Sequence, residues 1–116
     1  MAHTDPILAI LGPDGLLARS IEGYEHRPQQ IEMARLVRRA LDDRRYALVE
    51  AGTGTGKTLA YLVPAILSGR RVVLSTATKT LQEQIVGKDL PLLREVAAID
   101  FQATVMKGRS NYLCLW

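Results

Sequence analysis

The sequence predicts an α/β fold with a mostly parallel sheet, and three observations carry that expectation. Short apolar runs rich in β-branched residues recur along the chain. Segments with helical spacing of apolar residues alternate with them. A glycine-rich stretch joins the first such run to the next helical segment, the position a phosphate-binding loop occupies in an α/β layer.

Taken in order, residues 1–26 form a leader with turn signals at Gly12-Pro13-Asp14-Gly15 and at Gly23, and a short helix is expected at Leu16–Ile21. Pro28 to Asp43 reads as a helix. Pro28 suits a first helical position, and Ile31, Ala34, Val37 and Leu41 make one apolar face. Tyr46-Ala47-Leu48-Val49 reads as a buried parallel strand. Lys57 to Leu67 returns to helix, with Pro64 expected to kink or shorten it. Arg71–Thr76 is the second expected strand, Lys79–Lys88 and Leu90–Ala97 are expected helices, and Phe101–Met106 is the third strand.

Composition bounds the function. The chain has 116 residues, 47% hydrophobic and 23% charged with net charge +3, which excludes a disordered, collagen-like or coiled-coil chain. Its one cysteine, Cys114, rules out an internal disulfide and fits a reducing, cytoplasmic compartment. No apolar run approaches the roughly 20 residues that span a bilayer, so no membrane is expected. The N-terminus does not read as a signal peptide. His3 and His26 have no metal-ligand spacing.

The most informative stretch is Glu50-Ala51-Gly52-Thr53-Gly54-Thr55-Gly56-Lys57-Thr58. A polyphosphate lies against successive backbone N–H groups, so the loop must be nearly free of side chains. The following helix aims its N-terminal N–H groups and positive dipole end at the anion. Lys57 can reach the β- and γ-phosphates, and the Thr58 hydroxyl can coordinate Mg²⁺. These make Lys57 and Thr58 the catalytic candidates, and Gly52, Thr53, Gly54, Thr55 and Gly56 the phosphate cradle for ATP. Ala51 departs from the general pattern, which begins with glycine; Ala at this place is a variant that nucleic-acid helicases and translocases often carry.

Four blocks then fall in a specific order: Tyr24-Glu25-His26-Arg27-Pro28-Gln29-Gln30, Glu50 to Thr58, Leu74 to Gln84, and Lys107-Gly108-Arg109-Ser110-Asn111-Tyr112-Leu113-Cys114. Together they resemble the DinG/XPD-like iron–sulfur DNA helicases of superfamily two, in particular the bacterial DinG and YoaA branch. The resemblance implies the first part of a RecA-like motor domain over residues 27–107 and the start of an iron–sulfur domain at 108–116. It implies that Arg27 and Gln30 sense the adenine, since an amide offers a donor and an acceptor together; Gln29 competes for that role. It implies that Thr78, Lys79 and Gln84 grip the phosphate backbone of single-stranded DNA, although Thr78 also reads as an ordinary helix cap. By resemblance Cys114 is one ligand of a 4Fe–4S cluster, which needs further thiolates than this chain holds.

No acidic Walker B box, arginine finger or second motor domain follows. The chain is therefore expected to be the N-terminal nucleotide-binding portion of a longer ATP-dependent DNA helicase, inactive on its own, with protein partners unknown. Another kind of P-loop ATPase or kinase, or a short non-catalytic nucleotide- or DNA-binding module, are the alternatives.

Overall fold

The computed structural model describes residues 5–52 and 56–113. Helix α1 spans Pro6–Leu11. Asp5 caps it, its Oδ1 accepting from the Ile7 N–H at 3.0 Å, and Pro6 takes the first turn, where a missing N–H costs nothing. The short α2, Leu16–Ser20, follows a turn and contributes Leu17 to the interior.

Helix α3 spans Pro28–Asp43 and α4 spans Lys57–Leu67, and these two form the main helix pair. Ile31 and Ala34 of α3 are buried, with Val37 and Leu41 at the margin. The α3 helix ends at Arg44, whose left-handed backbone (φ 55°, ψ 47°) lets the Arg44 and Arg45 N–H groups both reach the Ala40 carbonyl. Helix α4 runs through Pro64, which is itself buried.

Beyond α4 the chain makes α5, Lys79–Gln84, a π-helical turn, Ile85–Asp89, and α6, Leu90–Val96. Gln84, Ile85, Asp89 and Leu90 all have right-handed helical dihedrals, so these pieces make one continuous helix where two were expected. Pro91 follows the π turn and cannot donate to the preceding turn; the widened turn sits where its ring would otherwise meet a carbonyl. A 3-10 turn at Arg109–Asn111 ends the described structure.

The core gathers Ile7, Ile10, Leu11 and Leu17 from the leader with Ile31, Ala34, Ala60, Leu62, Val63, Ile85, Leu90 and Leu93. The sequence reading assigned no helix to Pro6–Leu11, yet this segment supplies three core residues. An ion pair holds it in place: Arg35 of α3 donates to Asp5 Oδ2 at 2.9 Å.

The expected α/β architecture is corrected by the structure. The RecA-like layer, even as a partial one with a mostly parallel sheet, is not present. Among the described residues there is no β-strand, and Tyr46–Val49, Arg71–Thr76 and Phe101–Met106 carry no regular secondary structure. A strand exists only by the ladder it forms with a neighbour, and no backbone–backbone hydrogen bond among the described residues links these runs. Their apolar side chains lie outside the core: Leu48 is 100% exposed, Val73 90% and Met106 85%. Phe101–Met106 is held instead from the helical side, by Arg94, which stacks on the Phe101 ring at 4.6 Å and donates to its carbonyl, and by Gln82, which donates to the Met106 carbonyl at 3.1 Å.

Candidate nucleotide-binding site

The site is built where α3 and α4 meet. Gly56 caps α4 with φ +74° and ψ 38°, a left-handed conformation that favours glycine. Its carbonyl accepts the Ala60 N–H at 3.2 Å, closing the first turn of α4. Lys57 is the first residue of that helix and is exposed; Thr58 follows it, half-buried. An amine, a hydroxyl and a helix N-terminus thus share one turn, an arrangement suited to an oxyanion. Gly52 lies on the exposed approach to the loop, while Thr53, Gly54 and Thr55 lie outside the described residues.

Gln30 and Gln29 separate clearly. Gln29 is exposed. Gln30 is 4% exposed, and both ends of its amide have protein partners. Its Nε2 donates to the Gly56 carbonyl at 3.1 Å and its Oε1 accepts from the Tyr24 hydroxyl at 3.2 Å. The Gly56 oxygen can only accept, so the amide orientation is fixed: nitrogen toward the loop, oxygen toward Tyr24. Burial pushes the Tyr24 hydroxyl above its usual pKa, against the pull of the Arg27 charge, which keeps it protonated as a donor. Arg27 itself pairs with Glu25 at 3.3 Å on the surface. The motif reading gave Tyr24 no role; its place six residues before Gln30, with its hydroxyl against a buried amide, is a feature that spacing alone does not disclose.

The second cluster lies at the start of α5. Thr78 is its cap, the Oγ1 accepting from the Leu81 N–H at 3.3 Å. Lys79 is exposed beside it. Gln84 turns along the helix to donate to Asp89 Oδ2 at 3.4 Å. Asp89 is buried, and burial raises its pKa against the opposing effects of the Gln84 hydrogen bond and the Lys88 charge. Cys114 lies outside the described residues, and among those described no cluster of His, Cys, Asp or Glu could hold a metal. No described helix is long and apolar enough to cross a membrane.

Comparison with known proteins decides the affiliation. A family profile described as DEAD/DEAH box helicase matches residues 27–111, from the arginine ahead of α3 to the final 3-10 turn. The chain belongs to the DEAD/DEAH box helicase family. Among curated DEAD/DEAH-type relatives it is 40% identical to the ATP-dependent DNA helicase YoaA of Haemophilus influenzae, over 99% of this chain and 18% of that protein. It is 46% identical to the ATP-dependent DNA helicase YoaA of Escherichia coli, over 89% of this chain and 16% of that one. It is 40% identical to the 3'-5' exonuclease DinG of Bacillus subtilis, over 90% of this chain and 12% of that protein. The chain thus spans less than a fifth of the length of these relatives, and the DinG and YoaA names agree with the resemblance carried by its four sequence blocks. No solved structure matches it significantly.

Proposed function

We propose that this chain is the ATP-binding portion of an ATP-dependent DNA helicase. The observation that carries the reading is the left-handed Gly56 at the head of α4, with Lys57 and Thr58 on the turn it opens. Lys57 neutralises the β- and γ-phosphates, and the Thr58 hydroxyl is available to Mg²⁺, whose role when bound is to offset charge on the same oxygens. The half-buried position of Thr58 at the head of the helix fits a hydroxyl that serves a bound ion rather than bulk water. Hydrolysis needs a residue to orient water and arginines to stabilise the transferred phosphoryl group; these residues do not supply them.

In the complete gene product, hydrolysis drives movement along single-stranded DNA, with Thr78 and Lys79 at the head of α5 contacting its phosphates. The printed activity of the YoaA relatives supports this reading. The 4Fe–4S cluster does not fit these residues alone: the sequence has one cysteine, Cys114, and such a cluster takes further thiolates. No step of the reading depends on it. The cytoplasm is the compartment in which we place the protein.

The test is DNA-stimulated ATP hydrolysis by the complete gene product and by its Lys57→Ala variant. Hydrolysis that requires Lys57 and rises with single-stranded DNA is the expected result. Hydrolysis that is indifferent to DNA would favour another P-loop ATPase.

A further inference from the structure

The Tyr24 hydroxyl stands at one end of a relay that terminates on the phosphate loop. It lies 3.4 Å from the carbonyl of Leu11, at the end of α1, and 3.2 Å from Gln30 Oε1. One hydroxyl has one proton, and the shorter contact gives it to Gln30. Gln30 in turn donates Nε2 to the Gly56 carbonyl at 3.1 Å. Gln30 is 4% exposed, so water is poorly placed to replace either partner.

The peptide unit explains why this contact bears on phosphate binding. The Gly56–Lys57 peptide is planar and trans, so its C=O and N–H point in opposite directions. Holding the Gly56 carbonyl against Gln30 therefore aims the Lys57 N–H the other way, out of the first turn of α4 and toward the side where an anion would lie. Gly56 needs such a hold because at φ +74° glycine can leave the left-handed region with little penalty.

We propose that Tyr24 is a positioning residue: through Gln30 its hydroxyl fixes the Gly56–Lys57 peptide plane, and so orients the Lys57 N–H for the phosphates of the nucleotide. This rests on the reading of residues 50–58 as a phosphate loop. It assigns the buried amide to the phosphate end of the ligand.

The probes are ATP, GTP and inorganic tripolyphosphate, the last having no base to read, each titrated by displacement of a fluorescent ATP analogue from the complete gene product. Tyr24→Phe keeps the ring and removes the hydroxyl. Gln30→Met keeps the side-chain volume and removes both polar ends, and it stands in should Tyr24→Phe not fold. Each is expected to weaken all three ligands by a common factor of about two- to tenfold, the range a single neutral hydrogen bond controls. Unchanged tripolyphosphate affinity in a folded Tyr24→Phe or Gln30→Met protein overturns the proposal. So does a loss confined to ATP, which would make Gln30 a reader of the base. If the unmutated protein binds neither ATP nor tripolyphosphate, the phosphate-loop reading itself fails and the inference falls with it.

Discussion

The buried amide of Gln30 donates to the carbonyl oxygen of Gly56 at 3.1 Å and ties the first turn of α3 to the head of α4. A Cβ added to Gly56 would collide with Gln30 Nε2, and it would sit on a backbone at φ +74°. Gly56→Ala therefore loses twice, about 1 kcal/mol for a left-handed alanine and about 1 kcal/mol for the broken hydrogen bond. Thermal unfolding of the variant should show a clear drop in midpoint. An unchanged midpoint would mean that neither the conformation nor the contact is needed.

Lys57→Ala removes the exposed ammonium at the head of α4. Hydrogen bonds to charged groups contribute about 1.5–3 kcal/mol, so ATP affinity should fall roughly ten- to hundredfold. Equilibrium titration with a fluorescent ATP analogue measures this directly, and hydrolysis should be lost. The Lys79→Ala variant, at the head of α5, should leave ATP affinity unchanged.

Asp5 and Asp89 should respond to pH in opposite senses. Burial pushes Asp5 up, but the Arg35 hydrogen bond and the Ile7 N–H outweigh it, and the net shift is downward from 3.8. Its contribution is present above that value and is lost as pH falls through the lower folded value. Asp5→Ala should cost about 1 kcal/mol near neutrality, mostly the lost helix cap, since the ion pair to Arg35 is partly exposed. Asp89 is raised above 3.8 by burial, so its protonated form favours the folded state, and that stability is lost as pH rises through the folded value. Asp89→Asn should raise the unfolding midpoint at neutral pH and lose its advantage once the solution is acidic enough to protonate the carboxyl.

Residues 1–116 expressed alone should self-associate. Tyr46, Leu48, Val73 and Met106 present apolar surface to solvent, and contiguous surface of this kind favours association. Size-exclusion profiles should broaden with concentration, and a dye that reports exposed apolar surface should bind. A monodisperse monomer that leaves the dye dark would contradict this.

The helices Pro28–Asp43 and Lys57–Leu67 were legible to the residue, because proline at a first turn, the glycine before Lys57 and the three-and-four spacing of apolar residues are local signals. The α1 helix was missed although Asp5-Pro6 is a cap followed by a first-turn proline; six residues give too little periodicity to display. The three β-branched runs failed for a different reason. Val72, Val73 and Leu74 state a preference for burial on a pleated surface, but whether a neighbour supplies that surface is not written in the run itself. In the site, the glycines and Lys57 were legible from motif chemistry, whereas Gln30 depends on partners elsewhere in the chain, a carbonyl in another helix cap and a tyrosine hydroxyl.

The π turn at Ile85–Asp89 makes chain length locally negotiable. The Leu90 N–H reaches back five residues to the Ile85 carbonyl, which stacks two buried side chains that a plain α-helix would set about 140° apart. Deleting the exposed Gly87 would bring them four residues apart, where an α-helix also keeps them on one face. A deletion anywhere else between Lys79 and Val96 outside this turn would swing the remaining residues by about 100° and take Leu90 and Leu93 out of the core. Pro91 attaches a condition to this freedom, because a narrowed turn presses its ring on the carbonyl behind it. The shortened helix should therefore form well only when Pro91 is replaced too, so that one glycine and one proline, four positions apart, change together or not at all.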